Sequence, residues 1–252
     1  MKRQNRKLRN LLIVFGFLML VLTSCKKINE NPINLTNGRT TAHFNPKLKY
    51  GTMTDQDGNV YKTITIGTQT WMAENLRTTK YRNGDSIPNV KSNDQWSKLT
   101  SGAYCNYNNT EDLDSIATFG RLYNAYIFSD SRNIAPSGWH VPNDDDWSTL
   151  INYLGGKDIA GEKLKESSGL HWKYTAEGNN SSGFTALPGG FRVHNGIFMN
   201  IAYNGVWWST SEWTNILDEK RNYMKTLYYT SNDIGESGDS KKSGFSIRCV
   251  KD

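Results

Sequence analysis

Cysteine is scarce in this 252-residue chain: Cys25, Cys105 and Cys249 are all there are, and no two are close. That spacing excludes a Cys-x-x-Cys redox or zinc motif and a densely disulfide-stapled miniature fold. Histidine is nearly as rare, and His43, His140, His171 and His194 form no His-x-x-x-His pair for a helical metal site. No Gly-x-Ser-x-Gly elbow exists for a hydrolase of the α/β type. No glycine loop follows a strand and opens a helix to cradle phosphate. The Glu-Pro-Asn type of calcium motif found in lectins is missing too. The longest apolar run, from Leu11 to Leu22, has twelve residues. As a helix it reaches about 18 Å, short of a bilayer core. An excess of one charge is also missing once the N-terminus is set aside. The formal charge is +6, five Lys and Arg lie before residue 10 without an acid, and the remainder carries +1. The basic character is therefore a property of the leader and gives no support to a nucleic-acid partner.

The leader has a clear form. Lys2, Arg3, Arg6, Lys7 and Arg9 precede the apolar run, and Leu22-Thr23-Ser24-Cys25 follows it. A basic stretch, a short apolar core and small residues before a cleavage point read as a secretory signal peptide over 1–24. The Leu-x-Ser-Cys ending resembles a bacterial lipobox, which implies lipidation at Cys25. Lys26 and Lys27 would then sit against lipid phosphates. Residues 25–50 are polar, rich in Asn and Thr and without period, as a flexible tether would be. Residues 51–252 remain for one folded domain, enough for a sizeable core.

Within that domain the clearest element starts at Asn143. Pro142 holds the backbone out of the helical region, and Asn143 is placed to cap. Asp144, Asp145 and Asp146 suit the positive end of a helix dipole, a better account of the triplet than a metal site. Trp147, Leu150, Ile151 and Leu154 make an apolar stripe, and Gly155-Gly156 supply the stop, so a helix is predicted over 144–154. A second main helix is expected over 119–128, with Phe119, Leu122 and Tyr126 on one face. Shorter helical pieces are expected at 95–99 and 160–166, and an acidic loop at 110–115. Val60 to Ile66 and Gln69 to Asn75 read as a hairpin, and Asn195-Gly196 marks another between 191–193 and 197–199. Strands are also expected at 103–107, 184–187, 206–210, 223–230 and 245–250. Asp55 to Asn59 lacks the glycine position and closing glutamate of a calcium loop. Two helices with short, mostly antiparallel strands after them indicate an α+β domain.

Several stretches in order resemble the Fibrobacter succinogenes major paralogous domain. They are Ile66-Gly67-Thr68-Gln69-Thr70-Trp71-Met72-Ala73-Glu74-Asn75-Leu76, Gly120-Arg121-Leu122-Tyr123-Asn124-Ala125-Tyr126, Gly138-Trp139-His140-Val141-Pro142, Gly183-Phe184-Thr185-Ala186-Leu187-Pro188, Trp207-Trp208-Ser209-Thr210 and Gly244-Phe245-Ser246-Ile247-Arg248-Cys249. The helix start and the Gly-Phe-x-x-Arg ending are also similar to formylglycine-generating and C-type-lectin-like domains, which implies a C-type-lectin-like architecture. The oxidase chemistry of the former uses a nearby cysteine pair, which Cys105 and Cys249 do not provide. Outside the cytoplasm those two could form a disulfide. Relatives place a cysteine where this chain has Ala135, so the bridge could equally have been lost here.

The resemblance implies ligand loops late in the chain, where aromatics gather. Tyr203, Trp207, Trp208 and Trp213 are the candidate ligand-binding residues, since exposed aromatics stack on sugar faces. Trp207 and Trp208 point to opposite faces of a strand, so at least one belongs to the core. His140 is expected to make a structural hydrogen bond rather than do acid–base work. No cofactor or metal is expected. The reading is a lipid-anchored, extracytoplasmic protein at the outer membrane or cell surface, binding glycan or a surface protein without calcium. An enzyme of the formylglycine-generating kind and a purely structural surface component are the alternatives.

Overall fold

In the computed structural model the described residues are 34–173, 178–214, 217 and 219–252. The expected signal peptide, Cys25 and the start of the tether lie outside them. In chain order the elements are β1 (Gly51–Thr54), β2 (Val60–Ile66), β3 (Gln69–Met72), α1 (Asn93–Ser97), β4 (Tyr104–Cys105), α2 (Leu113–Phe119), β5 (Leu122–Asn124), β6 (Trp139–His140), α3 (Asp144–Tyr153), α4 (Lys157–Leu164), β7 (Gly189–Arg192), β8 (Phe198–Ile201), β9 (Asn204–Thr214), β10 (Lys220–Tyr228), β11 (Ile234–Asp239), β12 (Gly244–Phe245) and β13 (Val250–Lys251). They form three sheets, ordered β1-β2-β3-β13-β6, β4-β5-β12-β7-β8 and β11-β10-β9. Every pairing between these strands is antiparallel, and the domain is α+β.

Alternation in the first sheet builds two cores at once. Tyr61 and Met72 enter one apolar cluster, while Ile64, Ile66, Trp71 and Val250 enter another. Successive side chains on a strand face opposite ways, so this sheet is covered on both sides. α3 closes the second cluster with Trp147, Leu150 and Ile151. Its cap forms as the sequence requires. Asn143 accepts from the Asp146 N–H at 2.9 Å, and Asp146 accepts in return from the Asn143 N–H at 2.9 Å.

The hairpins at 60–72 and 189–201 form as expected. The helix expected at 119–128 does not. Asp112 caps a helix that runs earlier, through the expected acidic loop, and stops at Gly120 with φ 73°. A Cβ at Gly120 would fall 2.6 Å from Asn75 Cβ and 2.9 Å from the Leu76 carbonyl. The chain is then taken into a sheet: Arg121 N–H donates to Leu76 O, and β5 pairs with β4 and β12. Tertiary partners outweigh the local helical spacing. The strand expected at 184–187 is reduced to one bridge, Lys165 to Ala186, because the Phe184 and Thr185 carbonyls are claimed by Arg248. The strand expected at 245–250 is split between two sheets, β12 in one and β13 in another, and stitches them together.

The described part of the expected tether does not stand free of the domain. Residues 34–50 are laid against the domain, with Phe44, Leu48 and Tyr50 packed on the second cluster. Thr36 is buried and donates to Asn59 Oδ1 at 2.9 Å. His43 N–H donates to Glu166 at 2.6 Å, and His171 bridges Glu166 to the Thr41 hydroxyl. The compact unit accordingly begins at Ile33.

Candidate functional site

The late aromatics divide by position along β9. Trp207 and Trp208 are 1% and 0% exposed, so neither is a surface ligand contact. Each ring N–H has an interior partner: Trp207 donates to Asn75 Oδ1 at 2.9 Å and Trp208 to the Tyr123 carbonyl at 2.8 Å. They face opposite ways, as the strand requires, but both sides of β9 are covered there. Trp207 packs edge-on against Phe184, and Trp208 packs at a tilt against Phe245.

Asn75 is the centre of this interior. Its Oδ1 accepts from Trp207 and from Arg248 Nε, and its Nδ2 donates to the Phe119 carbonyl. Arg248 is fully buried and spends its remaining N–H groups on the Phe184 and Thr185 carbonyls, with its guanidinium 4.2 Å from the Phe184 ring centre. Burial pulls its pKa down to about 9, against the opposing charge of Glu74. Arg192 is also fully buried. It donates to the carbonyls of Gly196, Val90 and Lys91 and lies between the rings of Trp96 and Phe198. Sequence reasoning missed Asn75 and both arginines as a structural set, because residue type gives no sign that a polar group will be buried.

Cys105 and Cys249 are unbonded, so of the two alternatives left open by the sequence the bridge is the one not formed. They belong to different apolar clusters, whereas Ala135 shares a cluster with Cys249. Burial pushes the Cys105 thiol up to about 12 and raises that of Cys249 as well, so both are poor nucleophiles.

His140 lines a cleft of about 290 Å³. Its Nδ1 lies 2.8 Å from Asp252 Oδ1 and its Nε2 3.2 Å from Asp146 Oδ2. Both ring nitrogens are thus engaged by carboxylates, one of them that of Asp146, which closes the capping box of α3. Asp144 pairs with the buried Lys225 at 2.6 Å, so two members of the aspartate triplet have structural partners. Among the described residues no cluster of His, Cys, Asp and Glu suits a metal. The Asp55 carboxylate is filled by the N–H groups of Asp57 and Asn59 and by the Tyr61 hydroxyl.

Tyr203 immediately precedes β9 and Trp213 lies near its far end, roughly 30 Å away along an extended chain, so the two do not share a site. Tyr203 is 37% exposed and meets Tyr229 edge-on at 5.1 Å. It follows Asn200 and Ala202, which have φ of 63° and 67°. Trp213 is half-buried and lies flat across β11: a Cβ at Gly238 would fall 2.1 Å from its ring. Tyr223 stands beside it with ring centres 6.5 Å apart, and Arg221 is its partner across the strands. A wide bulge separates this platform from the buried tryptophans. Three residues, 209–211, oppose Tyr223 alone, and Asn222 donates its side-chain amide to their carbonyls.

Residues 64–251 match the profile of the Fibrobacter succinogenes major domain. The chain belongs to that family. No curated protein and no solved structure matches it. In this family member the matched span holds Trp71, Asn75, Gly120, Trp207 and Arg248, all of them spent on the interior. The family motif residue His140 is half-buried, and it is tied to two acids.

Proposed function

We propose that this chain is a lipoprotein anchored through Cys25 to a bacterial membrane, presenting a C-type-lectin-like domain at the cell surface. The domain is a binding module, and glycan is the ligand class its surface favours. The observation that carries this reading is Trp213, laid flat on Gly238 with Tyr223 beside it at the outer end of the three-stranded sheet. An aromatic ring backed by a glycine can offer its other face to the apolar side of a sugar. Arg221, across from it on the same face, can take hydroxyls. Such a site needs no calcium. The enzymatic alternative has one observation in its favour, the cleft at His140 with acids in reach. Against it, both imidazole nitrogens are occupied and both buried thiols are held protonated.

A glycan array probed with the full-length protein in detergent micelles tests the reading. Trp213→Ala should abolish binding with little change in the urea midpoint, and binding should survive excess EDTA. A bound glycan whose affinity is unchanged in Trp213→Ala would remove this face as the site.

A further inference from the structure

Away from the aromatic platform, a shallow depression of about 500 Å³ is lined by Arg82, Asn83, Ser131, Arg132 and Asn133. We propose that it binds a carboxylate group, with Arg82 as the charged anchor and Ser131 and Asn133 as the flanking donors. The Arg82 guanidinium is fixed from behind. Nε donates to the Ala135 carbonyl at 2.8 Å, and Nη2 to the carbonyls of Pro136 and Trp139 at 3.1 Å each. Its backbone N–H donates to the Asn133 carbonyl at 2.7 Å, so the anchor and the opposite wall are tied together. Stapling three carbonyls accounts for two of its nitrogens. Nη1 makes no hydrogen bond among the described residues, and no carboxylate there pairs with the charge. With Nε and Nη2 spent on carbonyls, the preorganised guanidinium offers its Nη1 N–H groups and its unpaired charge to one carboxylate.

The other lining residues sort cleanly. Asn133 turns its Oδ1 inward to the Ala135 N–H at 2.8 Å, which leaves its amide nitrogen to donate outward. Arg132 is already closed by Asp130 and Asp85 and lies 4.0 Å above the Tyr81 ring, so it adds shape and no free charge. Arg82 and Arg132 against Asp85 and Asp130 sum to zero, so only the Arg82 guanidinium itself attracts an anion, which suits a monoanion better than a doubly charged phosphate. Ser131 and Asn133 also line the neighbouring cleft, whose apolar wall includes Phe128, Ile134 and Val141. The body of a carboxylate ligand has a surface to lie against there.

The test titrates the full-length protein in detergent micelles with sodium D-glucuronate, D-glucose and inorganic phosphate, by calorimetry and by amide shifts at 82, 131 and 133. Glucuronate should bind saturably, glucose not at all, and phosphate at least tenfold more weakly. Asn133→Asp keeps the side-chain shape and the inward acceptor but places a negative charge in the depression. It should weaken glucuronate tenfold or more with an unchanged melting temperature. Arg82→Gln should abolish binding, and Trp213→Ala should leave it intact, which separates this site from the glycan platform. Absence of saturable glucuronate binding, equal affinity for phosphate, or affinity that survives Asn133→Asp would overturn the proposal.

Discussion

At the scale of single residues, the interior of this domain is organised by one amide. Asn75 joins the first hairpin to Trp207 and Arg248, and each of those reaches a further segment. Trp207→Ala should cost about 3–5 kcal/mol, since the cavity cannot close around so large a deletion. Trp207→Phe should cost about 1 kcal/mol through loss of the bond to Asn75. Trp213→Ala, on the half-exposed platform, should cost about 1 kcal/mol or less. Urea unfolding of the three variants checks the order, and a near-neutral Trp207→Ala would contradict the burial of that ring. The thiols make a second residue-level prediction. Cys105 and Cys249 should resist alkylation in the native protein and both react in denaturant without reductant, as read by peptide mapping. A disulfide would leave both unlabelled.

Among the elements, α3 is the best determined by its own sequence. Its cap, first-turn acids and apolar stripe are local features, and all of them fold as written. Asn143→Ala removes one half of a reciprocal cap and should cost about 1 kcal/mol. Trp147→Ala should cost about 3–5 kcal/mol, because that ring is fully buried against Trp71 and Phe184. Urea melts of the two variants give the comparison. The strap formed by residues 34–50 is held differently, by the latch from Glu166 through His171 to Thr41 and by the His43 N–H. Burial alone would raise the Glu166 carboxyl, but hydrogen bonds from His171 and the His43 N–H outweigh it, and its pKa is lowered. A lowered folded value means that the stabilisation is complete above the unfolded value and is lost as pH falls through the folded one. Hydrogen exchange at the His43 amide, corrected for intrinsic rate, should therefore lose protection as pH falls below the ordinary glutamate range. Glu166→Gln should show the loosening already at neutral pH. Protection in Glu166→Gln equal to that of the unaltered protein would mean the latch does not hold the strap.

Across the whole molecule, the last segment of the described chain is what makes one domain of three sheets. β12 adds to one sheet, β13 to another, and Arg248 between them fastens both to the loop at Phe184 and Thr185. With the strap folded onto the body, the compact unit runs from Ile33 to Asp252. The proposed anchor lies ahead of it. Cys25→Ala should block incorporation of labelled fatty acid and leave unprocessed precursor. Normal maturation and labelling of that variant would remove the membrane anchor from the proposal.

The sequence by itself determined the family, the α+β class, α3 and the two hairpins, since caps, turn residues and short-range periodicity act over a few residues. Tertiary structure alone decided the rest. The spacing of Phe119, Leu122 and Tyr126 was helical, yet Asn75 and Leu76 approach Gly120 too closely for the helix to pass, and the sheet takes the backbone groups that follow. Trp207, Trp208 and Trp213 share one residue type on one strand, and only the packing on each side of β9 separates core from platform. The depression at Arg82 is assembled from residues about fifty positions apart, with no pattern in either stretch. Burial and the pairing of distant polar groups depend on the whole chain being in place, and no local window of sequence carries that information.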